Sequence, residues 1–240
     1  MITAQAVPNL QDNYAWLLRD SATGATAIVD PAEPAPVAAA IDAAGGRLDL
    51  ILLTHHHGDH IAGTDDIRAR YRARVVGARA DAHRLPRLDQ AVVDGDTVVL
   101  GESQGRVIAT PGHTHGQVAY YFPDGGVLIC GDTLFSLGCG RLLEGSAAEM
   151  FASLRKLAAL PPDTLVCCGH EYTEGNARFA LHADPDNAAL RAYAGHVRAL
   201  RAEGKATVPS RLADELAANP FLRAADVPGF ADLRARKDKF

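Results

Sequence analysis

The chain has 240 residues, of which 48% are apolar and 22% charged, so it can bury one large core with a small appendage and is too apolar to stay disordered. Its formal charge of −5 argues against nucleic-acid binding, no apolar run reaches the length of a membrane span, and Met1-Ile2-Thr3-Ala4-Gln5 lacks the basic start and hydrophobic centre of a secretion signal. These features lead us to expect a cytoplasmic monomer with neither a nucleic-acid nor a membrane partner.

The first apolar segments, Tyr14 to Leu18 and Ala25 to Val29, have strand length and are bounded by the turn residues Ser21, Gly24, Asp30 and Pro31. Pro34 to Ala44 is alanine-rich with Pro at its start and Gly45-Gly46 at its end, which predicts a helix. Leu48 to Leu53 is the next strand, Gly63 to Tyr71 a helix and Arg74 to Gly77 a strand. Further strands are predicted at Thr97–Leu100, Arg106–Ala109, Val118–Phe122, Val127–Cys130 and Thr164–Cys168, with a helix over Ala147–Leu160 that Pro161-Pro162 stops. Beyond Cys168 every periodic segment reads as helical: Glu174–His182, Asn187–Glu203, Arg211–Ala218 and a short one near Phe230–Lys237. Strands mixed with helices and followed by a helical tail predict an α+β protein, two packed sheets flanked by helices with a small helical domain appended.

Residues 191–240 contain ten Lys/Arg and six Asp/Glu, a local charge of +4 against −9 for residues 1–190. A charge run usually marks a solvated face, yet a basic tail on an acidic body also suits a small anionic substrate. Cys130, Cys139, Cys167 and Cys168 lack metal-site spacing and are expected to be buried free thiols.

The chemistry concentrates in Thr54-His55-His56-His57-Gly58-Asp59-His60, directly behind the strand ending at Leu53. Residues two apart on extended backbone point the same way, so His55 and His57 aim at one point, while Gly58 lets the chain turn and presents Asp59 and His60 elsewhere. Imidazole and carboxylate donors suit zinc, iron or manganese, and this geometry suits two ions better than one. Three later strands end in the same way. Ala109-Thr110-Pro111-Gly112-His113 supplies a third imidazole, Cys130-Gly131-Asp132 a carboxylate able to bridge two ions, and Cys168-Gly169-His170 a further imidazole. The expected centre therefore has His55, His57 and His113 on one ion, Asp59, His60 and His170 on the other, and Asp132 between them. Alternation points His56 away from its neighbours, and His115 is expected at the surface or behind the ligands. A tight loop packing a small thiol is the better reading of Cys139 than a nucleophile.

These motifs, in this order, resemble the metal motifs of the metallo-β-lactamase superfamily. Within it the chain resembles the glyoxalase II (hydroxyacylglutathione hydrolase) family, through Gly131-Asp132-Thr133-Leu134-Phe135, Gly138-Cys139-Gly140-Arg141, Gly169-His170-Glu171-Tyr172-Thr173, Thr207-Val208-Pro209-Ser210, Asn219-Pro220-Phe221-Leu222-Arg223 and Arg236-Lys237-Asp238. The resemblance implies a four-layer αββα sandwich, with a dinuclear metal domain at residues 1–170 and a helical glutathione-binding domain at 171–240. It implies two divalent ions, zinc in the first instance, and a glutathione thioester as substrate. Arg141, Tyr172, Arg234 and Lys237 match the family's glutathione contacts, whereas Leu143 stands where a tyrosine is common. The implied reaction is hydrolysis of S-lactoylglutathione to glutathione and D-lactate, with Asp59 and Asp132 as the catalytic carboxylates and a water activated between the two cations. The alternatives are another thioesterase of the superfamily, a glutathione persulfide dioxygenase, or a non-catalytic metal-binding or redox module.

Overall fold

The computed structural model describes all of residues 1–240. Its first sheet follows the chain, strand by strand: β1 (Ile2–Asn9), β2 (Asn13–Asp20), β3 (Thr26–Val29), β4 (Leu50–Leu52), β5 (Arg74–Ala78) and β6 (Gln90–Val92). The first three pair antiparallel and the last four parallel, with α1 (Pro34–Ala43) and α3 (Thr64–Tyr71) in the crossovers. Side-chain parity then divides the strands. Ala15, Leu17, Ile28, Ile51, Leu53 and Val75 pack with Val37, Ala38 and Ile41 of α1 and Ile67 of α3. Their sequence neighbours Trp16, Leu18, Ala27, Val29, Leu50, Leu52 and Val76 belong to the central core shared with the other sheet.

The second sheet comprises β7 (Thr97–Leu100), β8 (Ser103–Ala109), β9 (Val118–Phe122), β10 (Val127–Gly131), β13 (Leu165–Cys168) and β14 (Ser210–Arg211), in the spatial order β14-β13-β10-β9-β8-β7. Only β10 and β13 run parallel, and between them in sequence come a small hairpin, β11 (Leu134–Phe135) with β12 (Gly138–Cys139), and α4 (Ala147–Ala158). The sheets are also tied by hydrogen bonds. Trp16 Nε1 donates to Cys168 O at 2.8 Å, and Tyr120 Oη donates to Leu53 O at 2.9 Å. Met150, Leu154 and Leu157 of α4 close the outer face of the second sheet, giving the αββα layering the sequence implied. Ser146 and Glu149 start α4 with a reciprocal capping box.

The C-terminal part contains α5 (Thr173–Ala183), α6 (Ala188–Ala202), α7 (Leu212–Ala218), α8 (Pro220–Arg223) and α9 (Val227–Lys237). Helices α6 and α9 begin at Asn187 and Asp226, whose side chains accept from the backbone N–H of Leu190 and Gly229. This part is not a separate body. Phe221 and Phe230 join the central core, each contributing on the order of 1.5–3 kcal/mol by burial, and β14 extends the second sheet. The purely helical tail expected from the sequence is thus interrupted by a two-residue strand, too short to leave a periodic signal.

Candidate metal centre

Four chain segments leave the C-terminal ends of β4, β8, β10 and β13 and converge. After β4, Thr54 is anchored by donating its backbone N–H to Asp30 Oδ1 at 2.9 Å and its hydroxyl to Asp30 Oδ2 at 2.6 Å. His55 to His57 follow, and Gly58 opens the single-turn helix α2 (Gly58–Ile61), on which Asp59 and His60 ride. His113 lies in the turn between β8 and β9, Asp132 just past β10 and His170 just past β13. At Gly131, φ of +48° and the closeness of Thr54 leave no room for a side chain.

Two groups of donors form. His57 Nδ1 lies 3.0 Å from His55 Nε2 and 3.1 Å from His113 Nε2. His60 Nε2 lies 3.3 Å from His170 Nε2, and Asp59 Oδ2 approaches these nitrogens at 3.7 and 3.5 Å. In each triad the donor atoms all lie within 4.8 Å of one another. Asp132 touches both groups: its Oδ1 is 3.4 Å from His60 Nε2, and its Oδ2 is 3.3 Å from His170 Nε2 and 3.4 Å from His113 Nε2. The seven side chains named from the sequence therefore meet, with Asp132 between the two triads.

The outer partners decide what these atoms present to one another. The Thr54 hydroxyl gives its one proton to Asp30, so it can only accept from His55 Nδ1–H at 3.0 Å. His60 Nδ1 faces Asp30 Oδ2 at 3.0 Å, His170 Nδ1 faces Asp12 Oδ1 at 3.1 Å, and His113 Nδ1 faces Arg141 O at 2.8 Å. Four imidazoles thus keep their Nδ1 protons outward and turn Nε2 inward, where lone pair would meet lone pair unless a cation, proton or metal, lies between. Asp132 Oδ1 is buried without a hydrogen-bond donor, and this orphaned oxygen completes a donor set that fits metal ions. The His/Asp clusters are compatible with a binuclear metal centre. Asp30, with His55 and His60, forms a third close group, but its oxygens are already taken by Thr54 and His60 Nδ1–H, so it supports ligands and does not add one.

Electrostatics follow from this packing. Burial disfavours charge on Asp132 and His60 alike, yet their attraction outweighs it, holding the Asp132 carboxyl well below the usual carboxylate range and the His60 imidazole well above its ordinary value. Burial, then repulsion from neighbouring imidazoles, lowers His55 and His57.

Beside the donors opens a cavity of about 690 Å³ that reaches from His113 and Asp132 to Arg234 and Lys237 of α9. Tyr172 lines it and stacks on His170, with ring centroids 4.5 Å apart and planes 7° from parallel. Burial, aided by Asp12, pushes its phenol up to about 12, so the hydroxyl remains a donor at neutral pH. Arg141 is an exposed lining residue, and Leu143 on the same loop is 53% exposed. Lys237 is half-buried, and burial followed by the nearby Arg234 lowers its ammonium to about 8. Arg234 is buried and committed: its guanidinium donates to Cys139 O at 2.9 Å and to Asp238 Oδ1 at 2.8 and 3.1 Å. All four cysteines are buried free thiols, and burial pushes Cys139 up to about 11, which removes it as a nucleophile.

Sequence reasoning did not single out Asp30, Asp12 or Asn13, although each fixes a donor; Asn13 Nδ2 donates to Asp59 O at 3.0 Å and to Asp59 Oδ2 at 3.1 Å. The available signal for Asp30 was its place at a strand end, the position the recognised ligands share. His56 turns away from its neighbours, as alternation predicted, and faces Asp81, with Nδ1 to Oδ2 at 3.1 Å; His115 is exposed, one of the two placements expected for it. Glu171 holds the segment around His170 by accepting from the Tyr14 hydroxyl and from Thr207.

Two facing sheets with histidine and aspartate donors at their strand ends define a metallo-β-lactamase-type metal protein, and the model of the metallo-beta-lactamase superfamily matches residues 9–170. The model of the hydroxyacylglutathione hydrolase C-terminus matches residues 171–240. A hydroxyacylglutathione hydrolase of Acidiphilium cryptum (strain JF-5) is 61% identical over 238 residues, covering 99% of this chain and 97% of its own. Similar solved structures include ETHE1 from Myxococcus xanthus (TM-score 0.73, 25% identity, 97% of this chain and 90% of that one) and TTHA1623 in a di-iron-bound form (TM-score 0.60, 28% identity, 70% and 91%). This chain belongs to the hydroxyacylglutathione hydrolase family of the metallo-beta-lactamase superfamily.

Proposed function

We propose that the chain hydrolyses S-lactoylglutathione, or a related hydroxyacylglutathione, to glutathione and a 2-hydroxy acid, D-lactate, as the second step of methylglyoxal removal. The observation that carries this reading is a bridged double triad of donors opening into a cavity lined with cationic side chains, on a chain 61% identical to a hydroxyacylglutathione hydrolase. In this reading His55, His57 and His113 would hold one divalent ion and Asp59, His60 and His170 a second, with the Asp132 carboxylate, which lies between the two triads, available to both. Zinc is the proposed metal, while iron and manganese accept the same donors.

Divalent cations held there would supply Lewis acidity, lowering the pKa of bound water and offsetting negative charge that develops on the thioester oxygen. The protein's own groups do the rest. Asp59, steadied by Asn13, orients the attacking water. Asp132 keeps its carboxylate ionised at working pH, so both of its oxygens are available as donors. Tyr172 donates a hydroxyl at the cavity wall, Arg141 and Lys237 attract the carboxylates of the glutathione peptide, and Arg234 holds the wall in place through Cys139 O. The leaving group is a thiolate, stable enough to depart without a side-chain acid. Glu171, with its oxygens committed to Tyr14 and Thr207, is not recruited as one.

Residues 1–170 act in this account as the metal domain and 171–240 as the glutathione-binding domain, in a cytoplasmic monomer. No helix is long and apolar enough to cross a membrane, and all four cysteines are buried. A glutathione persulfide dioxygenase is not favoured, given the names of the relatives matched over nearly the whole chain.

The test is thiol release from S-D-lactoylglutathione by purified, metal-loaded protein. Hydrolysis that depends on the glutathione moiety supports the reading, and failure with several acylglutathiones removes it.

A further inference from the structure

The cavity carries more positive charge than the four family-matched contacts explain. Five cationic side chains line it: Arg141, Arg178, Arg201, Arg234 and Lys237. Two of them are answered within the protein. Arg234 is paired with Asp238 at 2.8 Å, while Arg201 lies 3.7 Å from Glu171 Oε2 and donates to Lys205 O at 2.9 Å. Arg141, Arg178 and Lys237 make no ion pair, although Asp238 and Glu174 also line the cavity.

Arg178 is the unassigned member of that trio. It sits on α5, the helix that begins three residues after His170. Glu174 stands one turn earlier, at the spacing for a helical ion pair, and makes none with it. The side chain instead runs back along the helix, as helical side chains do, bringing Nη2 to 3.7 Å from where a Cβ on Gly175 would lie, toward the metal-centre end of α5. Gly175 and Asn176 line the same cavity, so the guanidinium has open space and a view of the substrate volume. Arg178 and Arg234 both repel the Lys237 ammonium, adding to the effect of burial. Like charges gathered around one space are unfavourable unless an anion joins them.

We propose that Arg178 is a substrate-binding residue whose guanidinium, together with Lys237, takes one of the two carboxylates of the glutathione moiety. The proposal rests on the thioesterase reading for its ligand. It adds a contact from α5 to those from the Arg141 loop and α9, and a planar guanidinium suits bidentate capture of a carboxylate.

The experiment compares wild type, Arg178→Ala and Arg178→Lys, all metal-loaded, on S-lactoylglutathione and on two analogues in which either the glycyl or the γ-glutamyl carboxylate is converted to an amide. Arg178→Ala should raise KM about tenfold, as expected for loss of one charge-assisted contact, with kcat and metal content unchanged. Arg178→Lys should recover part of the loss. For one amide the wild-type KM should already be raised and Arg178→Ala should raise it no further. An unchanged KM, or an equal penalty on the parent and both amides, overturns the proposal. Calorimetry with glutathione itself separates the two readings. Arg178-dependent binding of glutathione without hydrolysis sinks the thioesterase and keeps the contact, whereas wild-type hydrolysis with a silent Arg178→Ala sinks the contact alone.

Discussion

Asp132 is the residue through which the two donor triads communicate, lying within 3.4 Å of nitrogens from both. Its removal leaves His60, His113 and His170 facing one another without the negative charge between them, so Asp132→Ala should lose metal and thioesterase activity together. Elemental analysis beside a thiol-release assay checks this, and retention of both ions would refute the bridge. A second prediction concerns pH. Lys237 loses its proton at about 8, so it is cationic below that pH and neutral above it, while the arginines of the cavity stay charged throughout. KM for a glutathione thioester should therefore rise as pH passes upward through about 8, with kcat less affected. In Lys237→Ala, KM should start high and that rise should flatten. An identical KM profile in the variant would leave Lys237 only a solvated cation.

At the scale of elements, the site rests on strand ends, and those were legible because a short apolar run followed by a small residue and then His or Asp is an uncommon pattern. The histidine cluster after β4, with the ends leading to His113, Asp132 and His170, could be read directly. The supporting groups could not. Asp30 and Asp12 look like ordinary turn residues, because a single carboxylate beside a turn carries no hint of the imidazole it will meet across the fold. β1 escaped notice because its eight residues include Thr3, Gln5 and Pro8, tolerable on an edge strand but unlike a buried one. The β11–β12 hairpin escaped for a different reason: two-residue strands have no periodicity, and this hairpin is held from outside. Asn219 Nδ2 donates to Phe135 O at 3.1 Å and Gly138 O at 3.0 Å, and Glu215 accepts from Leu137 N at 2.8 Å. Asn219→Ala would leave two buried carbonyls without that donor, at a cost of about 1–3 kcal/mol. Urea denaturation should show a lower midpoint, and KM should rise because Cys139, at the end of the hairpin, anchors Arg234. A wild-type midpoint would show that the hairpin does not depend on this clamp.

The whole molecule explains why residues 55 to 170, far apart in the chain, can be held to the tolerance a metal demands. The sheets are joined through one core and by Trp16 and Tyr120, so strand ends from both are rigid relative to one another. The C-terminal part supplies four of the five cationic residues of the cavity wall while its aromatic residues anchor in that same core, so the wall and the donor cluster share one scaffold. The central claim is that two ions, held by seven side chains, perform the hydrolysis. Its most direct test is zinc titration of chelator-stripped protein, with S-lactoylglutathione hydrolysis followed at each addition. Activity should be absent at the start and reach its plateau at two zinc ions per chain. A plateau at one ion, or full activity before any zinc is added, would contradict the account.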